Sequence, residues 1–179
     1  MKTLQNTIAA VALVTLLLSS NLFGQSLASD VAAVKINLKK GLTIANQGAS
    51  EIGFVDVVVT TSAQSPTVAA GSGAHFLVTG HPNRAVTMTF LSVTLNNDAW
   101  VLANGGDEAE MTFTPTMEQT GSTSTYPGSG TSVASGSSVS LVNVTGTGNL
   151  NLWVGGSMAI NANQSQGDYV GEFSVTVSY

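Results

Sequence analysis

The chain has 179 residues, a formal net charge of −5, 8% charged residues and no cysteine. Its five cations are Lys2, Lys35, Lys39, Lys40 and Arg84, too few and too clustered for a nucleic-acid partner, which needs several spread contacts to phosphate. Without disulfides, cohesion rests on apolar burial and backbone pairing.

Lys2 precedes an apolar stretch at residues 8–18, then Ser19, Ser20 and Asn21, and a small-residue site at Ser26, Leu27 and Ala28. That order is expected of a secretory signal peptide covering residues 1–28, its apolar part too short to span a bilayer. No Cys follows to carry a lipid anchor. The mature chain is then expected to start near Ser29, to form one domain, and to pass through the periplasm to the cell surface or beyond.

Residues 29–40 form the first expected strand. Ala32, Val34, Ile36 and Leu38 alternate with Ala33, Lys35, Asn37 and Lys39, and side chains on a strand point to opposite faces with a period of two. Gly41 follows as a candidate hinge. The predicted organisation is a signal peptide (1–28), an N-terminal extension (29–40) and a β-domain (41–179).

Further along, Ile52, Phe54 and the run 55–59 predict a strand buried on both faces. Residues 75–79 predict another, ended by a turn at Gly80, His81, Pro82 and Asn83. Val86, Met88 and Phe90 alternate, and the phase resumes one residue late at Val93 and Leu95, which predicts a bulge or break near Leu91. Trp100, Val101 and Leu102 precede a turn at residues 104–107, and Met111 and Phe113 lead to Pro115, as at an edge or strand end.

Residues 120–138, rich in Gly, Ser and Thr, read as a loop and a candidate site of O-linked glycans. Residues 139–144, 150–154 and 158–162 predict three more strands, with Gly155 and Gly156 turning between the last two. In the final stretch Phe173, Val175, Val177 and Tyr179 fall on one face, and Glu172, Ser174, Thr176 and Ser178 on the other. No segment after the signal has helical spacing. About nine short strands with Gly-rich turns predict an all-β, immunoglobulin-like Greek-key sandwich.

Two blocks carry a resemblance. One is Phe76-Leu77-Val78-Thr79-Gly80-His81-Pro82-Asn83. The other is Leu152-Trp153-Val154-Gly155-Gly156-Ser157-Met158, with Asn163-Gln164 and the ending Gly167-Asp168-Tyr169-Val170-Gly171-Glu172-Phe173-Ser174-Val175-Thr176-Val177. On these the chain resembles the bacterial secreted domain-of-unknown-function DUF4402 family, whose pattern runs F-x-V-T-G-x-P-N, then V-G-A-T-L, then G-T-Y-T-G-x-F-x-V-T-V-x-Y. It departs from that pattern where L-x-F-G is reduced to Ile52-Gly53-Phe54, and in the length of the 120–138 stretch. The ending also resembles that of archaic chaperone-usher pilins and spore-coat-U-like domains. That resemblance implies a sandwich lacking one strand, filled by the N-terminal strand of the next subunit, with a periplasmic chaperone and usher as assembly partners.

The candidate assembly interface is accordingly Ala32, Val34, Ile36 and Leu38 on the donor strand, with Phe173, Val175, Val177 and Tyr179 on the terminal one. The other reading keeps residues 29–40 as the first strand of their own sheet.

No catalytic, cofactor or metal site is expected. His75 and His81 lack a third ligand. Asp107, Glu108 and Glu110 do not match a Ca²⁺ loop. The serines lack a nucleophile elbow. Trp100, Tyr126 and Trp153 form a candidate sugar-stacking set, although Trp153 in its apolar run suits core packing and Tyr126 a surface contact. The sequence thus points to a non-enzymatic secreted structural subunit that self-assembles by strand complementation, the alternative being a monomeric carbohydrate- or surface-binding module.

Overall fold

The computed structural model describes residues 35, 36, 38, 40–48 and 51–179. The chain divides into two units, Met1–Asn37 and Leu38–Tyr179. Of the first, only Lys35 and Ile36 are described, and both are exposed. The expected signal peptide, together with Ala32 and Val34 of the donor set, lies outside the described residues.

In the second unit the described residues form eleven strands, more than the nine or so expected, because several are only two to four residues long. They are β1 (Thr43–Asn46), β2 (Thr67–Val68), β3 (Ala74–Gly80), β4 (Ala85–Phe90), β5 (Val93–Asn96), β6 (Glu110–Gln119), β7 (Thr131–Val133), β8 (Ser138–Ser140), β9 (Val142–Val144), β10 (Thr147–Ala159) and β11 (Val175–Ser178). All pair antiparallel in two sheets. The larger has the order β1-β3-β10-β6-β5, with β2 and β9 also on β10 and β7 on β6, and the smaller has the order β11-β4-β8. The fold is an all-β sandwich.

Alternation fixes which side chains meet between the sheets. Ala74 and Val78 of β3 and Leu150, Leu152 and Val154 of β10 are buried against Val86, Met88 and Phe90 of β4. The break expected near Leu91 is where the chain leaves the smaller sheet after Phe90 and enters the larger at Val93, with Leu91 exposed. The run 139–144 is split in the same way: β8 pairs with β4 and β9 with β10, and buried Leu141 stands between them. Thr145 and Gly146, both at positive φ, close the β9–β10 hairpin as a two-residue turn requires.

Several expectations are corrected. Gly155 and Gly156 do not turn; β10 runs through them. A Cβ on Gly155 would stand 2.2 Å from the Val68 carbonyl oxygen, and one on Gly156 2.4 Å from that of Thr114. These glycines serve close approach of neighbouring backbone. A short helix, Asp98–Asn104, occurs where no helical spacing was read. Seven residues are too few to establish that period.

Pro115 lies inside β6, opposite the gap between β5 and β7, where a strand has no neighbour on that side and a proline interrupts least. The loop 120–138 contains β7 and the start of β8. The run 55–59 forms no strand and is not buried on both faces: Val55 is 84% and Val58 81% exposed.

Candidate functional site: an apolar groove and a covered sheet face

Residues 51–59 and 164–173 bound an open groove of about 1080 Å³. Its floor is the second apolar cluster, Leu95 of β5, Met111 and Phe113 of β6, Met158 of β10 and Ile160 beyond it. Ile52, Phe54 and Val57 pack against that floor from one wall, and Tyr169 and Phe173 from the other. Phe113 is the centre of an aromatic group: Phe54 meets it edge-on at 5.9 Å between ring centroids and Phe173 at 6.4 Å, and Phe173 in turn meets Phe90 at 6.3 Å. Such edge-to-face pairs add to the burial of the rings themselves.

The backbone beside this floor is poorly paired. Among the described residues, no backbone hydrogen bond joins residues 51–59 to a neighbouring strand. In the other wall Val170 exchanges two with Asn96, of 2.9 and 3.1 Å, and residues 171–174 have none. Among the described residues, β11 is paired on one side only, with β4. Gly171 lets this wall pass close to β5, since a Cβ there would lie 2.5 Å from Leu95 Cδ2. An apolar floor beside unpaired main chain is the arrangement that accepts an added strand.

The structure brings together only part of the sequence-predicted interface. Phe173, Val175 and Val177 share one face and pack on the core, as their alternation requires. Phe173 alone is in the groove wall. Tyr179 sits at the far end of β11, where its hydroxyl donates to the Lys40 carbonyl at 2.9 Å and accepts from the His81 N–H at 2.6 Å. Lys40 is held again through Nζ, which donates to the Gly146 carbonyl at 2.5 Å and the Thr147 hydroxyl at 3.2 Å. Ile36 and Leu38, at 80% and 76% exposure, lie in no strand.

Leu95, Met111, Met158 and Ile160 were not singled out as site residues. Each reads from sequence as ordinary core. The available signal was the Val-rich run 55–59, which the structure leaves without ladder partners.

The outer face of the larger sheet is different. Trp153 does not enter the sandwich core; it alternates with Leu152 and Val154, and so points away. It is nevertheless only 9% exposed. His75 stacks on its indole at 3.8 Å with the planes 4° apart, and Tyr126 meets it edge-on at 5.3 Å. Residues 120–130 are fastened over this pair.

Trp153 Nε1 donates to the Thr120 hydroxyl at 3.0 Å, and Asn151 Nδ2 to the Gly121 carbonyl at 3.0 Å. His75 Nε2 donates to Asn151 Oδ1 at 2.9 Å. The Tyr126 hydroxyl and the Gly130 N–H both donate to Glu118 Oε2, at 2.6 and 2.7 Å. That bond to Glu118, then desolvation, then the charge of Glu118 hold the Tyr126 phenol above the usual tyrosine range.

Of the candidate sugar-stacking set, Tyr126 and Trp153 meet and Trp100 is elsewhere, in the short helix. The two histidines differ in setting: His75 is buried at this face, and His81 lies past the end of β3. Asp107, Glu108 and Glu110 are exposed, and no group of three His, Cys, Asp or Glu able to hold a metal occurs among the described residues.

The model of a family described as "Domain of unknown function (DUF4402)" matches residues 23–179. The chain belongs to the DUF4402 family. No curated protein matches it. The DUF4402 match takes in residues 29–40 together with the sandwich, so the alternating tail and both groove walls lie within the family's domain.

Proposed function

We propose that this protein is a secreted structural subunit of a bacterial cell-surface or fimbria-like assembly, joined to its neighbours by β-strand complementation. The observation that carries the reading is the apolar groove between residues 51–59 and 164–173, with its walls almost free of ladder bonds among the described residues. The occupant is residues 29–40 of a second copy. Residues 29–40 span roughly 40 Å when extended at ~3.3 Å per residue, enough to run past residues 51–59 or 164–173 along the groove. The tail alternates apolar and polar from Val34 to Lys39, and its described apolar members, Ile36 and Leu38, are exposed.

Burying Val34, Ile36 and Leu38 contributes ~1.5–3 kcal/mol each. Main-chain bonds to an open edge fix direction and register. The resemblance of the terminal strand to archaic pilins agrees with this mode, and a periplasmic chaperone is the expected holder of the subunit before assembly. The role requires no enzyme chemistry.

The monomeric binding-module reading draws on the Tyr126–Trp153 pair. Trp153 of that pair is covered by His75 and by the chain's own loop, and Tyr126 is half-buried with its hydroxyl bound to Glu118.

The test compares the mature chain with and without residues 29–40, and with Ile36→Asp, by sedimentation over a range of concentrations. The intact chain is expected to form polymers that resist mild denaturant, and both variants to remain folded monomers. Equal, stable monomers from all three would sink the proposal.

A further inference from the structure

We infer that the incoming strand is recognised by charge as well as by shape, a ring of carboxylates at the lip of the groove being matched to lysines on the polar face of a neighbour's residues 29–40. This rests on the strand-complementation reading above and specifies how the partner is chosen.

Four residues lining the groove, Glu51, Asp56, Asp168 and Glu172, are acidic and exposed, and no basic residue lines it. None of the four has an ion-pair partner among the described residues. They flank the side chains that turn inward: Glu51 precedes Ile52, Asp56 precedes Val57, Asp168 precedes Tyr169 and Glu172 precedes Phe173. The carboxylates are exposed at the rim while the side chains that follow them pack on the floor.

The tail has the complementary pattern. Among the cations of the chain, Lys35, Lys39 and Lys40 lie in this one segment. A strand that turns Val34, Ile36 and Leu38 into the groove turns Lys35 and Lys39 to the face that carries Glu172, and cross-strand neighbours on one face interact. Lys40 is excluded from this role because its ammonium is already bound to Gly146 and Thr147 of its own domain.

Exposed ion pairs add little to equilibrium affinity. A groove rimmed by one sign of charge does speed encounter with the opposite sign and rejects tails that carry the same sign. The signature is thus a rate that depends on salt, with little change in the stability of the finished polymer.

The experiment follows polymerisation of the intact mature chain by light scattering at low and high salt. Lys35→Glu/Lys39→Glu is expected to slow assembly on the order of tenfold at ~0.01 M salt, with the gap closing toward 1 M as screening shortens the range of the field. Adding Glu51→Lys, Asp56→Lys, Asp168→Lys and Glu172→Lys to the same chain should restore the rate. Circular dichroism confirms folding, and the milder pair Lys35→Glu with Glu172→Lys gives the same comparison with fewer changes.

A reversed tail that assembles at the unmodified rate at low salt overturns the charge inference. So does a failure of the compensating changes to restore the rate in folded protein. In either case Ile36→Asp still tests strand complementation separately: normal polymers from that variant count against the groove as an acceptor, as do stable monomers from the intact chain.

Discussion

Trp153 and Phe113 stand on opposite faces of the larger sheet, each at the centre of an aromatic group, and the chain treats them differently. Over Trp153 it lays residues 120–130 and fastens them with bonds from Thr120, Gly121, Tyr126 and Gly130. Over Phe113 it brings Phe54 and Phe173 edge-on from two segments that have almost no ladder bonds, and about 1080 Å³ remains between them. A face completed by its own chain has its polar atoms engaged. The face proposed to receive a neighbour's strand has an apolar floor and, among the described residues, little-paired main chain beside it.

The contrast can be tested from its strongest consequence to its weakest. Phe113→Ala removes the ring under both groove walls and is expected to cost ~3–5 kcal/mol in urea unfolding. A loss below 1 kcal/mol would mean that the floor is not packed as described. A peptide of residues 29–40, added to protein lacking that segment, should raise stability by about 2.7 kcal/mol at a hundred times its Kd, and Trp153 emission, read in a Trp100→Phe background because Trp100 lies beside Gly167 of the groove wall, should not change. A shift in that emission would place the peptide on the wrong face.

Gly155→Ala forces a methyl group toward the Val68 carbonyl and should cost ~1–3 kcal/mol as overpacking, measured by the same unfolding. The smallest effect belongs to Tyr126. Its folded pKa is raised from 10.0, so its contribution to stability is complete below that pH and is lost as pH climbs through the higher folded value. Trp153 emission should move in that alkaline window, and Tyr126→Phe should flatten the step while leaving assembly at neutral pH unchanged.

Strands with clean alternation were legible in the sequence. β3, β4 and β11 lie where the pattern of two puts them, and the phase slip at Leu91 marked a change of sheet. Glycine was the misleading residue: Gly155 and Gly156 look like a turn, but their lack of a side chain admits β2 and β6 from either side, a tertiary fact with no local signature. Trp153 is buried, as its apolar run suggested, but the face that covers it could not be read. An apolar run shows that a strand is covered on both faces without showing that one cover is a Ser/Gly/Thr loop.

The groove was legible only in part. Phe173 was found because it continues the alternation of Val175 and Val177, although β11 itself begins at Val175. Leu95, Met111, Met158 and Ile160 were not, because a core residue and a residue that a partner will cover have the same chemistry. The run 55–59 looked fully buried because it is rich in valine, yet β-branched side chains favour a strand without ensuring one, and Val55 and Val58 are exposed.

The double hold on Lys40 has a mechanical meaning. Tension applied through the preceding residues would reach the Tyr179 hydroxyl at the end of β11 and the Gly146 carbonyl at the tip of the β9–β10 hairpin together. Load is thereby divided between both layers instead of peeling β1 from the border of one. In the proposed filament, drag on a subunit would thus have to break the three bonds of Lys40 before it reached β1.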